Sequence, residues 1–437
     1  MTFSKSINNS ALLIIERVIT IGLAFITGVF LARVAGPDVF GEYAYILSFA
    51  GLFAPLCFMG LNNITTKYVV KYPRNSHHYV KSALLIRGMG AVFSIILGLF
   101  LINLLNEKAS LNSQILTLLI LQSTQLFYVF EYYFLANNQV LPTLKIRLTV
   151  LLCSGLLKIW VVFNGANITT LVGIHGIAYL IIALGYLWLY RSQKAQLNIK
   201  HKVKAHTLFA FFHRGKWLLL SGIAAVIYLK IDQVMLAYYY DTKEVGIYAA
   251  AARLSEFWYV FPVLIANAFS QQLFLKHKNS TDEFNNFIAS FLRILITAAV
   301  IIALLTFLLS ELLIDWIYGA AFSSSAVILN IHIFATIFIF QRAIFSKWLI
   351  IKGLYKYSLW TQGAGAIINV SLNLIFIPKW GGIGAAWATL ISYIFASYLS
   401  LFIPRATRPF AIQMTVAMLV WPLQIPQTIK LLWAGRN

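Results

Sequence analysis

The chain has 437 residues, 60% of them hydrophobic and only 11% charged, with a mean hydropathy of +0.80. That little polar surface cannot cover water-facing domains of this size, so a soluble globular protein is excluded. The net charge of +21 would suggest nucleic-acid binding in a soluble chain, but in a membrane chain the bases must first be sorted by side.

In chain order, the first apolar run covers 11 to 34. It is too long for a signal-peptide core and lacks a small-residue cleavage site, so it reads as a retained helix. Further runs near the roughly 20 residues a spanning helix needs cover 40 to 61, 83 to 105, 114 to 135, 147 to 163 and 168 to 190. After a polar connection from Arg191 to Lys216, too short to bury a core of its own, they resume at 217 to 240, 245 to 274, 287 to 310, 325 to 351, 357 to 378 and 382 to 403. Continuous apolar runs exclude a β-barrel, whose strands alternate. Trp160, Trp188, Trp217, Trp316, Trp348, Trp360 and Trp380 fall near span ends, where amphipathic rings anchor. Cys57 and Cys153 lie inside apolar runs, so neither a disulfide framework nor a thiolate metal site is available. The expected fold is an all-α polytopic membrane protein of about 12 transmembrane helices, in two parallel six-helix lobes around a central cavity.

The connections alternate in charge, and one missed or invented helix would scramble the alternation. One side collects Lys5, the bases from Lys67 to Arg87, Lys145 and Arg147, those from Arg191 to Lys216, Lys276, Lys278, Arg293, Lys347, Lys352, Lys356, Arg405 and Arg408. The other holds only Arg33, Lys108, Lys243 and Lys379. The N-terminus and Arg405 are therefore expected on the cytoplasmic side, and the positive charge is mostly topological. His77, His78, His201 and His206 fall in basic cytoplasmic connections and read as solvated or headgroup-facing. Beyond Arg408, the stretch 412 to 433 reads as an interfacial helix, a thirteenth span or a frayed tail.

The polar connection divides the chain into expected lobes at 1 to 205 and 206 to 408, with an apolar tail at 409 to 437. Gly41-Glu42-Tyr43-Ala44 is echoed by Gly246-Ile247-Tyr248-Ala249, and Gly173-Ile174-His175-Gly176-Ile177-Ala178 by Gly381-Gly382-Ile383-Gly384-Ala385-Ala386. The near-equal offsets join the same numbered spans of each half, as a duplication would. Pro55 and Pro262 follow the shared glycine at similar distances. Interrupted helices at equivalent places point to a site between halves, although an ordinary transmembrane proline remains the plainer reading. Gly384, Ala385 and Ala388 read as close-packing residues.

Arg17, Lys158, Lys230, Arg253 and Arg342, with Glu16, Glu131, Asp232 and Glu256, remain inside spans. A charge at mid-helix costs roughly 2.5 to 3.5 kcal/mol on insertion scales, so it should face water or a partner. Glu131 and Arg342 lie toward span ends and can snorkel. Lys230, Asp232, Arg253 and Glu256 are deepest, and Arg253 and Glu256 share a helix face, where a self-contained ion pair is the bland alternative. Phe257-Trp258-Tyr259 follows, able to stack on sugar rings but more often a packing cluster. There is no Gly-rich phosphate loop, His-Glu-x-x-His motif or Gly-x-Ser-x-Gly elbow, and Glu311 and Asp315 form no catalytic pair, so nothing supports an enzyme, a cofactor or a metal.

Gly36-Pro37-Asp38-Val39-Phe40-Gly41-Glu42-Tyr43 resembles the turn after the first span in the O-antigen flippases (Wzx) of polysaccharide biosynthesis. Asp232-Gln233-Val234-Met235-Leu236 with Val245-Gly246-Ile247-Tyr248, and Gly382-Ile383-Gly384-Ala385-Ala386-Trp387-Ala388-Thr389, resemble two further stretches of that family. The superfamily also contains multidrug exporters and lipid II flippases. The resemblance implies translocation of an undecaprenyl-pyrophosphate-linked oligosaccharide across the inner membrane, in O-antigen or lipopolysaccharide assembly, by alternating access. It implies as partners the lipid-linked oligosaccharide, membrane lipids and other polysaccharide-assembly membrane proteins, with no nucleic acid. Arg253, Lys230, Arg17, Arg342 and Trp258 are then the expected substrate contacts, and Asp232 or Glu256 the expected proton or ion coupling group. The rivals are an exporter of amphiphilic drugs and a membrane-embedded polymerase or glycosyltransferase, the latter disfavoured by short outer loops.

Overall fold

A computed structural model describes residues 2–105, 109–165, 167–195, 205–354 and 356–420, with backbone alone at 2–11, 105, 194, 195 and 271. No β-strand occurs among them. Nine helices among the described residues are long and apolar enough to cross a membrane, ten if one bent pair is counted as a span. The chain divides into two compact units between Gly246 and Ile247.

The first unit contains α1 (Thr2–Gly51), α2 (Ala54–Phe58), α3 (Asn62–Lys71), α4 (Ser76–Leu105), α5 (Asn112–Ser123), α6 (Val129–Ala136), α7 (Val140–Phe163), α8 (Ile168–Ala195) and α9 (Ala205–Tyr239). The 50 residues of α1 are two helical stretches broken at Gly36 (φ 76°, ψ 175°), which only glycine adopts cheaply. Pro37 then presets the dihedral of the next helical stretch. The break falls where the sequence places the turn between the first two spans. The second stretch ends at Gly51, and Pro55 sits in the first turn of α2, where a missing N–H costs nothing. The core of this unit includes Leu61, Val80, Ile86, Phe130, Phe134, Tyr186 and Phe211, all buried.

The helix after the polar connection, α9, packs on this first unit, so the first compact unit extends past residue 205. The cause is close backbone contact. A Cβ at Gly60 would lie 2.5 Å from the carbonyl oxygen of Gly215, and one at Gly215 would lie 2.8 Å from that of Met59.

The second unit takes up most of α10 (Thr242–Glu256), then α11 (Val260–Ala268), α12 (Ser270–Asn279), α13 (Thr281–Leu308), α14 (Ser310–Tyr318), α15 (Ser325–His332), α16 (Ala335–Ile351), α17 (Lys356–Ser397) and α18 (Arg408–Val420). In α17, Gly381 breaks the helix (φ 53°, ψ −132°). A Cβ on Gly384 would lie 2.3 Å from the Phe376 carbonyl oxygen. Eight residues of straight helix would separate the two by about 12 Å, so the chain doubles back there, as the sequence expects between its last two spans. The core holds Leu273, Phe284, Phe291, Leu292, Phe345 and Trp348, and α18 adds Phe410, Ala411, Met414 and Ala417. The first part of the apolar tail is thus a helix packed into the core; residues 421–437 lie outside the described residues.

Candidate functional site

Charge inside the first unit is organised by α1, α6 and α7. Arg147 donates to Glu16 Oε1 at 3.3 Å and to Glu131 Oε2 at 2.5 Å, with both carboxylates nearly buried. Its guanidinium also lies 5.9 Å from the Tyr186 ring centroid. In the sequence Arg147 stands at the edge of a basic connection and Glu131 near a span end; the structure pairs the two inside the helix bundle. The partners lie 16 and 131 residues away, a pairing that no local pattern displays. Arg17, one residue from buried Glu16, is exposed.

A second cluster ties α1, α7 and α8 together at His175. Its Nδ1 lies 2.8 Å from the Tyr43 hydroxyl and 3.0 Å from Lys158 Nζ, while Nε2 lies 3.0 Å from the Tyr179 hydroxyl. An ammonium has no lone pair, so Nδ1 accepts and Nε2–H donates to Tyr179. Lys158, a base inside a span, thus lies against the His175 ring. Further along, Asp232 is 3% exposed and its Oδ1 accepts from the Gln233 amide at 2.8 Å, while Gln233 accepts from Ser48 at 2.7 Å. Lys230 is half-buried, and Lys230 and Asp232 each have further interacting neighbours.

His77 also departs from its sequence reading. It is buried, its Nδ1 lies 2.7 Å from the Tyr190 hydroxyl, and its ring stacks on Tyr133 at 5.4 Å. His78 Nε2 lies 3.2 Å from Thr207 Oγ1. These rings serve helix contacts because α4 begins seven residues before the apolar run at 83, which carries both histidines into the packed region.

In the second unit, Arg253 and Glu256 are half-buried near the end of α10, and both have interacting neighbours. The helix then tightens into a 3₁₀ turn over Phe257–Tyr259 before α11, just ahead of Pro262. Trp258 packs edge-on and tilted against Phe257 and Phe261, at 5.8 and 5.7 Å, and against the hydrophobic core. Arg342 donates to the Ala396 carbonyl at 3.1 Å and to Thr361 Oγ1 at 3.2 Å, which braces α16 against α17.

His332 was not singled out from the sequence. It is 2% exposed at the break between α15 and α16, which bend by 40°. Its Nδ1 lies 2.5 Å from Ser255 Oγ and 3.4 Å from the Tyr259 hydroxyl. Its signal in the sequence is a histidine inside an apolar run. Nearby, Tyr248, Thr389, Asn369 and Asn373 form a buried polar ladder with separations of 3.4, 3.5 and 3.1 Å. Among the described residues no group of three or more His, Cys, Asp or Glu could hold a metal.

Residues 6–274 match the family model described as polysaccharide biosynthesis protein. The chain is 27% identical over 271 residues to the probable flippase AglR of Haloferax volcanii, a match covering 58% of this chain and 53% of that protein. The chain thus spans about half the length of this curated relative. Among solved structures, lipid II flippase MurJ in an inward closed conformation superposes with a TM-score of 0.68 at 17% identity, covering 97% of this chain and 95% of that one. A multidrug resistance MATE family transporter of the MOP superfamily, inward-facing, gives 0.62 at 12% identity, covering 94% and 96%. These likenesses show the fold: an all-α, multi-pass membrane architecture shared with flippases and drug transporters. The family match extends over more than half of the chain, and this protein therefore belongs to the polysaccharide biosynthesis protein family.

Proposed function

We propose that the protein is a flippase for a lipid-linked oligosaccharide of the undecaprenyl-pyrophosphate type, such as an O-antigen repeat unit, acting in the inner membrane by alternating access. Twelve spans with a cytoplasmic N-terminus belong to this reading. The observation that carries it is membership of the polysaccharide biosynthesis family in a chain whose fold is that of MurJ. A pyrophosphate with its sugars cannot cross hydrocarbon unaided, and bases kept within apolar helices offset its charge. Lys230 and Arg253 are the headgroup contacts in this proposal, with Arg17 and Arg342 as weaker ones and Trp258 against sugar. Asp232 or Glu256 is the coupling acid. Asp232 is the more buried of the two.

A deletion strain should accumulate lipid-linked oligosaccharide on the inner leaflet and lose surface polysaccharide. Arg253→Ala and Lys230→Ala, at normal protein levels, should cut delivery about tenfold or more, as loss of a charged contact predicts. Full-length polysaccharide at the normal amount in both variants overturns the headgroup assignment. The MATE fold likeness supports a second reading, export of amphiphilic compounds. It predicts altered drug susceptibility in the deletion strain with surface glycan intact.

A further inference from the structure

Arg87 lies about three turns into α4 and is 0% exposed, the largest fully buried side chain in the described structure. Its guanidinium carries five N–H donors in one plane. The rings of Phe58 and Tyr132 lie 5.6 and 5.4 Å from it and stabilise the cation without accepting in-plane hydrogen bonds. Nη2 donates to Asn62 Oδ1. Nε and Nη1 have no partner among the described residues. Glu131 is within electrostatic reach of Arg87, but its Oε2 is bonded to Arg147.

Asn62 is the first residue of α3, a helix of ten residues with no side-chain cap on its N-terminus. The chain enters it through Met59 and Gly60, both with positive φ. The opening N–H groups of such a helix lack intrahelical acceptors, and its dipole is positive there. The bond to Asn62 therefore ties a buried cation with spare donors to the first residue of an uncapped helix. Leaving a buried donor unmet costs about 1–3 kcal/mol, more when it is charged. An oxyanion meets both needs at once, since its several oxygens accept from the guanidinium edge and from the backbone together. Asn62 is only half-buried, so the place lies one side chain below the surface.

We infer that Arg87 and the N-terminus of α3 form an oxyanion site of the phosphate class, free or carried on a lipid. It does not rest on the transport reading, and Lys230 and Arg253 take no part in it. The test uses purified full-length protein in detergent, titrated calorimetrically with inorganic pyrophosphate and, separately, with undecaprenyl phosphate in mixed micelles. Arg87→Ala should abolish the binding of either probe that persists when Lys230 and Arg253 are both replaced by alanine. Because a hole at Arg87 can also unfold the protein, the deciding variant is Asn62→Asp, which gives the guanidinium a carboxylate of its own to replace the ligand. It should weaken binding about tenfold or more while the melting temperature holds or rises. Binding of only the lipid probe identifies a headgroup site, and binding of only pyrophosphate a site for the free anion. Wild-type affinity in Asn62→Asp, or no saturable binding of either probe to wild type, overturns the inference. An Arg253→Ala, Lys230→Ala double variant should keep Asn62-dependent binding of at least one probe, which separates this site from the transport contacts.

Discussion

Arg147 serves two carboxylates at once, so its removal harms more than either acid's would. Arg147→Ala leaves Glu16 and Glu131 buried and facing each other, at a cost of about 3–5 kcal/mol for a broken buried pair. The expected outcome is a clear fall in melting temperature and in membrane abundance. Glu131→Gln, which keeps an acceptor for Arg147, should lose less. Equal melting temperatures for Arg147→Ala and wild type would show that the pair contributes nothing. At this scale the sequence was half legible. Lys230, Asp232, Arg253 and Glu256 stood out because a charge in an apolar run is conspicuous. Arg87 and Arg147 did not, because each lies beside a basic connection and only three-dimensional packing shows that α4 and α7 carry them inside. His332 was missed because histidine counts as neutral.

Helix interruptions were readable where proline causes them. Pro55 and Pro262 mark breaks in the second and eighth spans, and in each case the chain departs from α-helix just before the proline ring. The 3₁₀ segment Thr124–Tyr128 in the fourth span and the bend after His332 in the tenth have no proline and left no trace in the apolar pattern. Glycine at the last hairpin is a sharper case. Gly384→Ala would press a methyl into the Phe376 backbone, which cannot yield as a side chain would. A destabilisation of about 3 kcal/mol is expected, read as loss of monodisperse protein in detergent. Gly22→Ala, with nothing within 4 Å of the added carbon, should stay within about 0.5 kcal/mol of wild type. If both variants behave alike, the close approach at Gly384 does not hold.

For the whole molecule, hydropathy carried the fold class and the glycine breaks, while the charge alternation carried a topology that is directly checkable. Cysteines placed at exposed Lys278 and exposed Lys243 should label from opposite sides, Lys243→Cys in intact cells and Lys278→Cys only after permeabilisation. Labelling of both from outside would refute the proposed orientation. Moving Arg87 and Arg147 to the interior barely alters the asymmetry on which that orientation rests. Where one compact unit ends was harder to read, since a polar connection marks a covalent division whereas the Gly60 and Gly215 contact decides what packs together. A second glycine contact bears on ancestry. A Cβ at Gly41 would strike the Thr242 carbonyl at 1.6 Å, and one at Gly246 would strike the Pro37 carbonyl at 2.1 Å. Adding the 205-residue offset of the echoed motifs to Pro37 and Gly41 lands on Thr242 and Gly246, so the two clashes exchange with each other. Such reciprocity is what two identical chains make when they meet across a dyad. If the halves arose by duplication, one substitution in the single-lobed ancestor would have struck both places together, and both places here carry glycine.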